Sequence, residues 1–499
     1  MRSMKNLLLM LILCLPMLGF AQDEYKRARG LIGQGKYQEA IVLLDEAIAS
    51  YPDWWPPIVL KGQASLKLKQ YDAALRSFND ALTLEVDPKQ IPVVKYYIMQ
   101  CYLQKGDYAK VIHAVDDLLP LAPPKRKFDL YLNRGQSEMQ IAKASEKGGD
   151  SKKAQTYYSK SVVSFSEALK NAVGKKEQEV EAAFQKAYAQ YKIGNAKGGI
   201  KSLETSIQEF NKVIERNARE ERAHKFLIDL SFRIAQSSPK NQQTGRYMET
   251  VGYIDRYLSI WADNPDMMNK RGAALQGAKK FTEAVSQFKL VSKLKPKDGS
   301  VYFSLGSCQM AAKQFNDAIK TFESAIKHGE ADNHNVYSFI AYCYQEQKTR
   351  CYSTDIPLYK KAVSTLEGGL AKLSGSGKAR IQQELERKKD NLSILEENLA
   401  TDNGNHLAAV TNVQSLEQSI AGNTATLKKN QELLLAQRTD ELEAAVEAGR
   451  KAIKEDQGRL KSELETMQRY VRDANKCNDA KLFTHMGKIK ELLKKHGSS

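Results

Sequence analysis

The chain has 499 residues, 42% hydrophobic and 27% charged, with only 13 Pro. It is too apolar for a disordered chain and too long for one compact helical domain. Its formal net charge of +17 favours anionic partners or surfaces; with no arginine-rich block or nucleic-acid signature, it argues against nucleic acid.

The first element is a leader. Arg2 and Lys5 precede an apolar run from Leu7 to Leu18 containing Pro16, and Gly19-Phe20-Ala21 supplies small residues before Gln22. The run is shorter than the ~20 residues of a spanning helix. Residues 1–21 therefore read as a cleaved signal peptide, and the protein as periplasmic or secreted. Leu13 is large where lipidation at Cys14 would want a small residue, which argues against a lipoprotein. Cleavage leaves 74 Lys+Arg against 59 Asp+Glu, a charge of +15. Five cysteines remain: Cys101, Cys308, Cys343, Cys351 and Cys477. Their odd number and irregular spacing exclude a disulfide framework, and the spacing offers one candidate pair, Cys343–Cys351, across a helix end.

From residue 22 onward the sequence repeats itself. Gly272 and Gly306, Phe281 and Phe315, Ala284 and Ala318, and Phe288 and Phe322 are each 34 residues apart, as are Ala40 and Ala74. The copy around Ala40 reads Gly35-Lys36-Tyr37, Ala40, Leu44, Ala47, Pro52; the next carries Gly62, Tyr71, Ala74, Phe78, Ala81; a third carries Gly106-Asp107-Tyr108, Val111, Val115, Leu118, Pro123. Each copy predicts a helix, a tight turn and an antiparallel second helix. Small residues allow close approach, aromatics fill the gap beside them, and Pro52, Pro123 and Pro296 end second helices. One such pair cannot bury its apolar face alone, so neighbours must stack.

These copies resemble the tetratricopeptide-repeat superfamily. The resemblance implies an all-α protein, a right-handed superhelical solenoid of helix–turn–helix pairs. Its strong copies form an N-terminal block, 22–127, and a second block, 265–373, which includes a divergent last copy opening with Tyr337, Ile340, Ala341 and Tyr344. Residues 128–264 read as stretched helix pairs, making about nine pairs in all. In this family the concave groove is lined by first-helix residues, including the fifth of each repeat, here Tyr25, Val59, Tyr96, Asn269, Phe303 and Tyr337. Four are aromatic, which implies a protein or peptide segment held by apolar and stacking contacts. Family members that clamp a C-terminal carboxylate use Lys, Asn and Arg along this line; only Asn269 matches. The other reading is that the aromatics are covered by the neighbouring superhelical turn.

After Leu373 the pattern changes. Ser374-Gly375-Ser376-Gly377 reads as a flexible linker, 374–377. Residues 378–475 read as a coiled coil: Ile381, Leu385, Leu392, Leu395 and Leu399 follow 4-3 spacing with Lys388 interrupting, and a second seam runs through Val413, Leu416, Ile420, Leu427 and Leu434, then Leu442, Val446, Ile453, Leu460 and Met467. Gly449, Asp456 and Glu463 occupy alternate core positions of that seam. Thr401-Asp402-Asn403-Gly404-Asn405 reads as a turn between the seams, which favours an antiparallel hairpin over a homodimer. Residues 476–499 form a basic amphipathic helix that either packs back on the coiled coil or touches an anionic membrane.

No catalytic constellation is visible. The seven His are scattered, with no His-Glu-x-x-His pattern, Gly-rich phosphate loop or Gly-x-Ser-x-Gly elbow. The reading implies no catalytic residues, metal ligands or cofactor. It gives a non-catalytic scaffold or adaptor of the bacterial cell envelope that binds a protein or peptide, or alternatively a structural envelope protein binding an anionic polymer or membrane.

Overall fold

The computed structural model describes residues 20–172, 174, 176–197 and 199–497. Of the expected signal peptide, residues 1–19 lie outside this range. The described residues contain no strand; they form helices joined by short turns. The chain divides into two compact units, residues 1–262 and 263–499.

The first unit holds six helix pairs: α1 (20–33) with α2 (Tyr37–Ser50), α3 (Trp55–Lys67) with α4 (Tyr71–Leu82), α5 (Ile91–Lys105) with α6 (Tyr108–Leu118), α7 (Pro124–Lys147) with α8 (Ser151–Lys170), α9 (Lys176–Lys197) with α10 (Ile200–Arg216), and α11 (Glu221–Ser237) with α12 (Lys240–Leu258). The second unit opens with α13 (Pro265–Gly277) and α14 (Phe281–Leu294), α15 (Gly299–Ala311) and α16 (Phe315–Ala325), and α17 (His334–Gln345) and α18 (Tyr352–Leu370). These are the nine pairs the sequence predicts.

Two devices build a pair. The first is steric. A Cβ added at Gly62 would lie 2.6 Å from the Phe78 ring; at Gly272 it would meet Phe288 at 2.7 Å, and at Gly306 it would meet Phe322 at 2.8 Å. The absent side chain of the first helix thus receives the aromatic of the second, and all three rings are fully buried. The second device is the turn. Gly35, Lys69, Gly106, Lys279 and Lys313 occupy one equivalent turn position, all with φ between 59° and 78°. One left-handed residue reverses the chain; it costs a lysine more than a glycine, so packing rather than local preference holds the three lysines there.

The stretched pair α7/α8 keeps the same lock. Gly135 faces Phe165, with an added Cβ at 2.8 Å, and Gly149 supplies the left-handed turn at φ 83°. Gly135 and Phe165 are 30 residues apart, where Gly62 and Phe78 are 16 apart. Between the lock and the turn each helix has gained seven residues, close to two α-helical turns, so the facing sides stay in register. In α17/α18 the lock is inverted: the glycine is Gly369 of the second helix, and the ring it receives is Tyr337 of the first, 2.7 Å from an added Cβ.

The tail departs from expectation at three points. Gly375–Gly377 is not a joint but the start of α19 (Gly375–Ala436). Thr401–Asn405 is not a turn but mid-helix; the reversal falls at 437–439, before α20 (Asp440–Lys476). The run is a strong local turn signal, but tertiary contacts override it: Asn403 Oδ1 accepts from the Thr484 N–H at 2.8 Å and Asp402 accepts from the Tyr352 hydroxyl at 3.0 Å. Finally, Ile381 and Leu385 belong to no coiled-coil seam. They are buried against Tyr337, Ala341, Ala362 and Leu366, closing the apolar end of the last pair. Lys388, the polar interruption, is 2% exposed and its ammonium donates to the Gln345 side chain.

Beyond residue 405, α19 and α20 pack on each other within the chain as a hairpin. Its polar positions are matched across the pair: Asp456 accepts from Ser419 at 2.6 Å and Asn423 at 3.2 Å, and Glu463 accepts from Asn412 at 3.1 Å. Gly449 lets Leu427 approach α20, an added Cβ lying 3.4 Å away. The basic helix α21 (Met486–Lys495) packs back, with Ile489, Leu492 and Leu493 buried among Val410, Val413, Leu464 and Met467. Lys495 and His496 both reach Glu417, at 2.7 and 2.6 Å.

A covalent link completes this region. Cys351 is bonded not to Cys343 but to Cys477, 126 residues away. Cys343 is a free, buried thiol on α17, as is Cys308 on α15. Beside the bridge, the Asp479 carboxylate accepts from the backbone N–H groups of Tyr352 (3.0 Å) and Ser353 (2.7 Å), capping α18 from a distant segment. Ser353 Oγ donates to the Cys477 carbonyl at 2.8 Å, and Tyr352 donates to Asp402 at 3.0 Å.

Candidate functional site

The six predicted groove residues do not share one environment. Val59 (7% exposed) packs beside Phe78 in the core of the first unit, and Tyr337 (3% exposed) fills the inverted lock while its hydroxyl donates to the Ala331 carbonyl at 2.8 Å. Neither offers contact surface. The other four are half-buried. Tyr25 meets Trp54 edge-on, ring centres 5.1 Å apart. Phe303 stacks on Phe339 at 5.8 Å. Asn269 holds a side-chain oxygen with no hydrogen-bond partner among the described residues. Tyr96 carries the Arg126 guanidinium 5.3 Å above its ring centre. Tyr25 and Tyr96 belong to the first unit, Asn269 and Phe303 to the second.

Tyr96 is also one wall of a cavity of ≈ 530 Å³. Pro92 and Val93 of α5 continue that wall; Leu121, Ala122 and Pro123 of the α6–α7 connection face them; Lys125, Arg126 and Leu130 of α7 close the end. Pro88 and Lys89 come from the α4–α5 connection, which has eight residues (83–90) where α2–α3 and α14–α15 have four each. Only Tyr96 of this group emerges from the fifth-position pattern. The spacing carried a further signal: the left-handed turn residues Gly35 and Lys69 are 34 apart, but Lys69 and Gly106 are 37 apart. A lengthened connection of this kind is where a loop acquires a role of its own.

Titratable groups elsewhere serve the fold. Burial pushes the thiols of Cys308 and Cys343 up to about 12, far from the thiolate a nucleophile needs. Glu138 is buried and its carboxyl is raised by burial; it accepts from Ser164 Oγ at 2.7 Å and from Arg134 at 3.2 Å, tying α7 to α8. His224 and His406 are buried with pKa values lowered by burial. Among the described residues no three His, Cys, Asp or Glu side chains are grouped to hold a metal.

Stacked helix pairs with a repeated Gly–aromatic lock and half-buried aromatics on first helices define a helical-repeat protein whose class works by macromolecular interaction. The family model of the tetratricopeptide repeat matches residues 25–84, from within α1 through α4, and the lock of α3/α4 recurs in α13/α14 and α15/α16; the chain carries tetratricopeptide repeats. No curated protein matches it. Solved structures similar to it include a tetratricopeptide repeat protein from Parabacteroides merdae, at 14% identity and TM-score 0.33, covering 65% of this chain and 99% of that one. YrrB, described as a TPR protein with an unusual peptide-binding site, is 14% identical at TM-score 0.28, covering 39% of this chain and 93% of its own. MamA from Desulfovibrio magneticus RS-1 is 15% identical at TM-score 0.31, covering 44% and 99%.

Proposed function

We propose that this protein is an exported, non-catalytic scaffold of the bacterial cell envelope that holds a protein or peptide partner on the first-helix surfaces of its repeats. The observation that carries the reading is that Tyr25, Tyr96 and Phe303, all on first helices, are half-buried rather than fully enclosed in the core. Aromatic rings supply large contact area with little conformational entropy to lose. Export is supported by the leader-like residues 1–21 and by the Cys351–Cys477 bridge, since such bonds persist in oxidising compartments. Tyr96→Ala with Phe303→Ala, assayed by in-cell cross-linking to envelope proteins, is expected to abolish partner capture. Unchanged capture would sink the aromatic-surface reading.

The +15 charge left after leader removal supports a second reading, attachment to an anionic envelope polymer or membrane surface. Binding that collapses between 50 and 500 mM salt (about 14 to 4 Å of screening length) favours that reading, and salt-insensitive binding favours the first.

A further inference from the structure

We propose that the cavity between α5 and α7 is a docking site for an acidic peptide segment, which seats one apolar side chain in the cavity and sets a neighbouring carboxylate against Arg126 and Lys125. This deepens the scaffold reading and rests on it. The first ground is charge. Lys89, Lys125 and Arg126 line the opening, no acidic residue does, and among the described residues none of these cations is in an ion pair. The second is a local rule broken. Lys125-Arg126-Lys127 occupies the first turn of α7, the end of a helix where cations are disfavoured and anions welcome. The first turn of α7 contains no acidic residue, and a bound carboxylate would supply the anion that end of the helix favours.

The third ground is shape. Val93 and Leu121 remain 38% and 49% exposed at the mouth, and prolines 88, 92 and 123 stiffen the walls. Prolines offer no backbone N–H, so recognition there runs through side chains rather than strand pairing. Arg126 is already laid over Tyr96, so little side-chain freedom is lost when its free edge meets a carboxylate. A cavity of ≈ 530 Å³ suits one large apolar side chain with its backbone. The lengthened α4–α5 connection brings Pro88 and Lys89 to the rim, for which the four-residue α2–α3 and α14–α15 connections have no counterparts.

The test uses the full chain and fluorescence anisotropy with two labelled probes, Asp-Asp-Phe-Leu-Asp-Asp and Lys-Lys-Phe-Leu-Lys-Lys, with phosphatidylglycerol vesicles as a third arm. The acidic probe is expected to bind at least tenfold more tightly than the basic one. Arg126→Gln should weaken it about tenfold, the value of one charge-assisted contact, and Tyr96→Ala should weaken it further. Arg126 is exposed, so its substitution leaves the fold intact, which circular dichroism verifies. Equal binding of the two probes, indifference to Arg126→Gln, or vesicle binding without peptide binding each overturns the proposal. Envelope cross-links that depend on Tyr96 and Phe303 but not on Arg126 overturn only the acidic assignment and leave the scaffold standing; cross-links indifferent to Tyr96→Ala with Phe303→Ala and to Arg126→Gln remove both.

Discussion

The repeat pairs and the tail of the second unit reach stability by opposite routes. In α3/α4, α13/α14 and α15/α16 the decisive contact joins residues 16 apart, a glycine and the phenylalanine it receives. In the tail the decisive contacts join residues more than a hundred apart: Cys351 to Cys477, and Asp479 to the N-terminus of α18. A repeat pair closes a short loop and needs only its immediate neighbours in the stack to bury its apolar face. The tail must first bring distant segments together, and loop closure opposes it. A covalent bridge matters most where that cost is largest.

The difference can be broken experimentally. Reducing the Cys351–Cys477 bridge, or replacing both cysteines with serine, removes the constraint on a loop of this length, worth about 4–5 kcal/mol in the chain-entropy account. Hydrogen exchange should accelerate across α18–α21 and remain unchanged in α1–α12. Uniform acceleration would mean the two regions are not energetically distinct. Phe78→Ala is the converse experiment: it empties the lock of one pair and should cost about 3–5 kcal/mol, read as local exchange in α3–α4, with α18–α21 unaffected.

A smaller effect tests the remote cap. Asp479→Ala leaves the Tyr352 and Ser353 N–H groups without their acceptor and should cost about 1–2 kcal/mol, visible as fraying of α18 even with the disulfide intact. Smallest is the acid response of His406, which lies between Tyr470 (4.3 Å) and Phe483 (4.5 Å) with Nδ1 unpartnered. Burial lowers its pKa below the ordinary 6.5. Its neutral form is the one the fold accepts, so stability is fully present above about pH 6.5 and falls as pH drops towards the lower folded value. His406→Phe should flatten that decline in the tail between pH 7 and 5, measured by thermal unfolding. His224, buried with its pKa lowered in the same direction, leaves the first unit's own acid response in place.

The helix pairs were legible because each is written within one short stretch of sequence. The 34-residue period and the glycines at 62, 272 and 306 predict the close approach of paired helices, but not that Phe78, Phe288 and Phe322, expected to pack on the following repeat, are the rings those glycines receive. The stretched α7/α8 pair was harder, since its seven added residues per helix hide the period while preserving the facing side. Of the groove set, position alone could not separate Tyr96, which keeps open surface, from Val59 and Tyr337, which are core; exposure depends on what the next pair covers. The mistaken turn at Thr401–Asn405 and the mistaken Cys343–Cys351 pairing share one cause: local propensity was weighed without knowing which distant segments would arrive.

Sequence by itself determined the helix pairs, their repeat identity and the apolar faces that must stack, because those follow from contacts between residues near in the chain. Tertiary structure alone decided that α19 closes the last pair before it joins α20, that Cys351 meets Cys477, and that Tyr96, Arg126 and a lengthened connection enclose one basic-rimmed cavity. Those outcomes depend on which surfaces meet after stacking, and nothing in a local pattern encodes a partner that lies a hundred residues away or one helix pair further on.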